Sequence, residues 1–178
     1  PKDTVQHIVK LKLIPEDYEY IRNFDVCHSS CYSSIEEELP WLSKHIKVSF
    51  DFSDRNSKDY LAKVCPYISF GFFSGSDLTE DQLEELIGEL ENYNIEVIGI
   101  TRGSKPALFI HKGHRYYQGV METNVIDTMG ASDSFIGGFL TSFLTNKDMT
   151  TALQFAALRA SETCTFYGGF GYPKSLDL

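Results

Sequence analysis

Cysteine is scarce and badly spaced for structural use. Four residues, Cys27, Cys31, Cys65 and Cys164, contain no CxxC pair and no zinc spacing, so neither a disulfide scaffold nor a structural zinc module is expected. Cys27 and Cys31 form only a lone CxxxC, and the set reads as reduced thiols in a cytosolic protein. Positive charge is missing too. Sixteen Lys and Arg against 25 Asp and Glu leave −9, which excludes a sequence-independent grip on nucleic acid. Basic and aromatic residues do not interleave as they do where single strands stack. Any anionic ligand must therefore be held locally, by backbone dipoles and a few cations. No apolar run approaches the roughly 20 residues that a bilayer span requires, and no basic start with an apolar centre marks a signal peptide. A cytoplasmic protein with no nucleic-acid and no membrane partner is the expectation. The chain begins at Pro1, in polar sequence, as a fragment or a processed product would.

What the chain has is an ordinary globular composition, 42% hydrophobic and 13% aromatic over 178 residues, suited to one domain spanning 1–178. Strand-like and helix-like segments alternate. Strands are expected at Phe24–His28, Lys47–Phe52, Tyr67–Phe73 and Glu96–Thr101. Helices are expected at Ser34–His45 with Ser34 as cap, at Lys58–Val64 and at Thr79–Tyr93. The last opens on Thr79 with Gln82 three residues on, a capping box, and Leu83, Leu86, Ile87 and Leu90 mark its buried face. Glu80, Asp81, Glu84, Glu85 and Glu89 make its wet face. Ala107–His111 and Arg115–Gly119 flank Lys112-Gly113-His114 as a hairpin would. Helices at Ser132–Leu144 and Met149–Phe166 close the chain.

Repeated strand-then-helix units predict a mostly parallel sheet with helices on both faces, whose ligands bind at the carboxyl ends of the strands. Those ends put Ser53, Ser74 with Gly75, and Thr101 with Arg102 and Gly103 along one edge. A second feature is expected to join them: Asp127-Thr128-Met129-Gly130-Ala131-Ser132-Asp133-Ser134-Phe135, a small-residue turn feeding a helix. Backbone N–H groups at a helix N-terminus suit an anion, and Asp133 beside them could take a proton from a hydroxyl. The plainer account makes Asp133 a cap and Gly130 a turn residue. It does not explain why several strand ends should meet this loop. His28 lacks a metal-ligand pattern and reads as a satisfied loop or core histidine. Lys105 follows the Thr101–Gly103 turn, where it could touch a phosphate or stay solvated.

The stretch Asp127 to Phe135 resembles the D-T-x-G-A-G-D-x-F signature of PfkB-type, ribokinase-like carbohydrate kinases. Gly99-Ile100-Thr101-Arg102-Gly103 is similar to the strand and turn that lead to the family's nucleotide. Phe50-Asp51-Phe52-Ser53-Asp54 looks like fructoselysine kinases within it. Gly168-Gly169-Phe170-Gly171 is similar to the segment bordering the adenine. The resemblance covers essentially the whole chain, but only the later two-thirds of the family's length. It implies a three-layer αβα fold without the N-terminal part and lid, and an ATP-dependent transfer to a sugar or a glycated amino acid such as fructoselysine. By the same resemblance Asp133 is the catalytic base, and Gly130, Ala131 and Ser132 form the anion hole. Thr101, Arg102, Gly103 and Gly169 bind the nucleotide, and Asp127 helps hold a monovalent cation such as K+. The N-x-x-E motif that orders Mg2+ has Ser74-Gly75-Ser76-Asp77 in its place, with Asp77 as its stand-in. Ser132 stands where the family keeps glycine. These two departures favour the alternative, a catalytically impaired kinase fold serving as a binding or regulatory module. Apolar sheet surface left uncovered would favour a homodimer.

Overall fold

The computed structural model describes residues 10–169. Twelve elements follow in order: α1 (Pro15–Ile21), β1 (Val26–Ser30), α2 (Leu39–Leu42), β2 (Lys47–Asp51), α3 (Lys58–Val64), β3 (Phe70–Ser74), α4 (Glu80–Leu90), β4 (Val97–Arg102), β5 (Lys105–His111), β6 (His114–Gln118), α5 (Ala131–Asn146) and α6 (Met149–Thr163). The strands form one sheet in sequence order, β1 through β6, and β1–β2, β2–β3 and β3–β4 pair in parallel. β4 to β5 and β5 to β6 are each joined by two residues, a length that only antiparallel neighbours allow. In the second turn Lys112 and Gly113 both have positive φ, 50° and 74°, the signature of a hairpin turn whose twist matches its strands.

The chain divides into two compact units. The described residues of the first are 10–102 and 109–115; those of the second are 103–108 and 116–169. The core of the first unit is aromatic: Phe50 in the buried middle of β2, Phe52 just after it, and Phe70 and Phe72 of β3 are each at most 2% exposed. Phe52 stacks on Phe73 at 4.3 Å between ring centroids, and Phe72 meets Phe109 edge-on at 6.2 Å. Gly99 of β4 faces Phe109 so closely that a Cβ would lie 2.6 Å from its ring. Strands buried on both faces read as continuous apolar runs.

Local sequence chemistry builds α4 as expected. Thr79 accepts from the N–H of Gln82 at 3.2 Å, and the Gln82 side chain accepts from the N–H of Thr79 at 2.9 Å, a closed capping box that contributes about 1 kcal/mol. Leu83, Leu86, Ile87 and Leu90 are all buried, each gaining roughly 1.5–3 kcal/mol from leaving water. The expected helix Ser34–His45 does not form. Ser34 takes φ +51° instead of capping anything, and only Leu39–Leu42 is helical. Pro40 is the reason: it has no N–H, and its ring collides with the carbonyl four residues back, so a helix can begin at Leu39 but not run through. The third strand also starts late, at Phe70, because Cys65–Tyr67 form a 3₁₀ turn around Pro66.

In the second unit α5 packs on α6. A Cβ on Gly138 would stand 3.2 Å from the Cα of Ala156 and 3.0 Å from the side chain of Arg159, so this glycine sets how closely the two helices approach. Phe139 and Phe143 stack at 5.3 Å along the buried face of α5. Asp148 caps α6 by accepting from Thr151 at 2.7 Å.

Candidate active site

The loop before α5 is held in one shape by contacts within its own unit. Gly130 is the residue before the helix and has φ +76°, a left-handed conformation that glycine adopts without penalty. A Cβ there would also lie 2.8 Å from the Cα of Gly169, nearer than such atoms come, so both the turn and the neighbouring chain require glycine. Asp127 ties the arrangement together. One carboxylate oxygen accepts from the N–H of Met129 and the other from the N–H of Gly168, both at 3.0 Å. The backbone donors of Met129 and Gly168 hold its carboxyl below the usual aspartate range. The N–H groups of Ile126 and Asp127 donate to the carbonyl of Cys164, at 2.8 and 3.3 Å. Thr163 donates to the hydroxyl of Ser134 at 2.7 Å, fixing the first turn of α5 to the end of α6.

This scaffold presents the helix N-terminus. The N–H of Ala131 turns back to the carbonyl of Thr128 at 3.2 Å, and that of Ser134 makes the first helical bond, to Gly130 at 2.9 Å. Between them, the N–H groups of Ser132 and Asp133 have no acceptor among the described residues. Two unpaired donors at the positive end of a sixteen-residue helix are what an anion needs. Asp133 lies exposed in the first turn of α5. Ser132 is inside α5, exposed, and not among the residues of positive φ. Its Cβ therefore carries no backbone strain; in this loop only Gly130 needs to be glycine. A cavity of about 470 Å3 opens next to this turn, between α5 and α6, with Ser134, Gly137, Thr141 and Arg159 in its wall.

Of the strand ends expected to share an edge, Ser53, Ser74, Gly75 and Thr101 are linked within the first unit, whereas Gly103 belongs to the second. The N–H of Ser74 donates to Ser53 and that of Gly75 to Thr101, both at 2.7 Å, and Thr101 donates its hydroxyl to Phe73 at 3.3 Å. Gly103 turns the chain with φ +62°. Arg102 is only 11% exposed in its side chain and is paired with Glu80, so its charge is already balanced. Asp77 is exposed in the turn before α4. Among the described residues no three His, Cys, Asp or Glu side chains group as a metal site. His28 is a satisfied histidine, its Nδ1 2.9 Å from the hydroxyl of buried Ser49. Phe170 and Gly171 lie outside the described residues; Gly168 and Gly169 are the described part of that turn. The sequence reading missed that Gly168 and Asp127 are partners. The signal was present only as an acid and a glycine 41 residues apart.

Residues 13–171 match the profile described as pfkB family carbohydrate kinase. The chain belongs to this family. It is 43% identical over 178 residues to Fructosamine kinase FrlD of Bacillus subtilis (strain 168), covering 99% of this chain and 63% of that protein. It is 26% identical over 159 residues to Fructoselysine 6-kinase of Escherichia coli (strain K12), covering 89% of this chain and 60% of that protein. The chain thus spans less than two thirds of the length of these relatives. Among solved structures it resembles Arabidopsis thaliana ribokinase complexed with ribose and ATP, with a TM-score of 0.74 at 19% identity, covering 88% of this chain and 55% of that one. That likeness shows the ribokinase-like α/β fold. No helix among the described residues is long and apolar enough to cross a membrane.

Proposed function

We propose that this chain is the nucleotide-binding portion of an ATP-dependent kinase that transfers the γ-phosphoryl group to a hydroxyl of a sugar or a glycated amino acid such as fructoselysine. The observation that carries the reading is the Asp127–Asp133 loop: two unpaired N–H groups at a helix N-terminus, on a glycine-dependent turn, beside an exposed carboxylate. Phosphoryl transfer demands mainly positioning and stabilisation of charge on the transferring oxygens, and this loop is built for both. Asp133 acts as base toward the acceptor hydroxyl. The backbone of Gly130, Ala131 and Ser132 lines the anion hole, whose available donors are the N–H groups of Ser132 and Asp133. Thr101, Arg102, Gly103 and Gly169 serve the nucleotide; the pairing of Arg102 with Glu80 suits a shaping role better than a direct grip on phosphate. The 43% identity to a fructosamine kinase supports the acceptor class.

Mg2+ binds by one or two carboxylates plus substrate phosphates more readily than in an all-protein cage, a mode for which Asp77, exposed in the turn before α4, is suited. It would neutralise the phosphate oxygens. Asp127, ionised and fixed by two N–H donors, retains lone pairs through which it could share in holding K+. Four free cysteines suit a reducing compartment, the cytoplasm. The test is ATP consumption by the full-length gene product on a panel of glycated amino acids and sugars, alongside Asp133→Asn. Removal of a positioned base is expected to lower turnover about 10²- to 10⁴-fold with nucleotide binding retained. Binding of magnesium-ATP without phosphorylation of any acceptor refutes the kinase reading. Wild-type turnover by Asp133→Asn refutes the assignment of the base.

A further inference from the structure

Both ends of the loop before α5 are pinned to two consecutive residues at the end of α6. At its entry, the N–H groups of Ile126 and Asp127 donate to the carbonyl of Cys164. At its exit, the hydroxyl of Thr163 lies 2.7 Å from that of Ser134 and 3.1 Å from the carbonyl of Arg159, so the shorter contact goes to the loop. Thr163 is only 7% exposed, and a hydroxyl is costly to bury unless it is hydrogen-bonded. The carbonyl one turn back would satisfy it within its own helix. The closer bond to Ser134, made across 29 residues of chain, is therefore an addition that the helix itself does not require.

Ser134 carries that bond into the site. Its N–H donates to the carbonyl of Gly130 at 2.9 Å, so the residue is held on one side by the left-handed glycine and on the other by α6. Ser132 and Asp133, whose N–H groups are the unpaired donors, lie between those two fixed points. Neither has a side-chain hydrogen bond or ion pair among the described residues. The positions of the two donors and of the Asp133 carboxylate are thus set by backbone alone, through Gly130 and Ser134. Reacting groups tolerate little error, since a misplacement of about 1 Å can cost about 10²-fold in rate.

We propose that Thr163 is a positioning residue for phosphoryl transfer: through Ser134 its buried hydroxyl keeps the N–H groups of Ser132 and Asp133 and the Asp133 carboxylate in register. This deepens the kinase reading above and rests on it. Thr163 acts on the backbone of the first turn, not on substrate. What it supplies is one O–H donor at a fixed height on α6, which serine can provide and valine, of similar shape, cannot.

The test is steady-state kinetics of the full-length gene product with ATP and the best-used acceptor of the panel above, for wild type, Thr163→Val, Thr163→Ser, Ser134→Ala and the Thr163→Val/Ser134→Ala double variant. Thr163→Val is expected to lower kcat about 10- to 100-fold with KM for both substrates within about twofold of wild type, the pattern of an interaction expressed in the transition state. Thr163→Ser should stay close to wild type, because it keeps the donor. Ser134→Ala should match the valine variant and the double variant should fall no further, since both act through one bond. Thr145→Val removes a hydroxyl that donates to the carbonyl of Thr141 within α5, and it should turn over as wild type does. A wild-type kcat in Thr163→Val overturns the proposal, and so does a loss confined to KM. A serine variant as slow as the valine one, losses that add in the double variant, or an equal fall in Thr145→Val overturns it as well. If Thr163→Val fails to fold, as circular dichroism would show, Ser134→Ala and Thr163→Ser decide by the same criteria. Absence of wild-type turnover on any acceptor defeats the kinase reading and this inference together, whereas turnover that Thr163→Val leaves intact defeats this inference alone.

Discussion

Replacing Gly130 by alanine tests the site at its tightest point. The residue has φ +76°, where an L side chain costs about 1–2 kcal/mol from contact with its own backbone. The new Cβ would also sit 2.8 Å from the Cα and 3.2 Å from the carbonyl oxygen of Gly169. Neither neighbour is the end of a flexible side chain, so the backbone has to move, and overpacking of this kind costs roughly 1–3 kcal/mol. The two penalties are not additive, because one movement of the loop relieves both; a net loss of about 2 kcal/mol is expected. For a chain of this size that lowers Tm by roughly 4–8 °C. Gly137→Ala supplies the contrast. It lies in the same helix, exposed, with nothing within 4 Å of an added Cβ, so alanine should stabilise by about 0.5–1 kcal/mol through helix propensity. Thermal unfolding followed by circular dichroism gives both shifts, and ATP-dependent turnover of the full-length gene product shows whether the loop still functions. The reasoning fails if Gly130→Ala unfolds at the wild-type temperature, or if the two alanines shift it alike.

Two further outcomes follow from the second unit. The Asp127 carboxyl is lowered in the folded chain by the N–H groups of Met129 and Gly168, so its contribution is present above the unfolded value of about 3.9 and is lost as pH falls through the lower folded value. The stability gap between wild type and Asp127→Ala, read by thermal unfolding from neutral pH downward, should narrow in acid; a gap independent of pH would show that the clasp contributes nothing as an anion. Val120, Met121, Val125, Ile126 and Met129, interspersed with polar residues, are all at least 44% exposed within ten residues, exposed apolar area from which we expect self-association as a homodimer. Light scattering should show mass rising with concentration, and a stable monomer at high concentration would refute it.

Elements whose causes are local were legible in the sequence. The Thr79–Gln82 box and the spacing of Leu83, Leu86, Ile87 and Leu90 act within one helix, so they specified both the start of α4 and its buried face. Lys58–Val64 likewise formed at the expected residues. The helix expected from Ser34 failed on a local rule as well, since Pro40 carried the information and the acidic first turn hid it. The turn and helix start in the Asp127–Phe135 stretch were legible because a left-handed glycine and a helix N-terminus follow from adjacent residues. What sequence could not decide depends on partners far along the chain. Asp127 meets Gly168 across 41 residues, and Gly130 abuts Gly169, so the tightness of the loop is a tertiary property. Ser132 departs from the signature glycine, and only the structure shows that it lies inside α5 outside the left-handed region, where its Cβ carries no backbone strain. Thr163 is the sharpest case. In sequence it is one more threonine near the end of a helix; only folding, by bringing its hydroxyl to Ser134 and the next carbonyl to Ile126 and Asp127, set it apart. Residue types and their spacing fix local geometry, whereas which side chain holds a distant turn in place is settled only when separate parts of the chain have met.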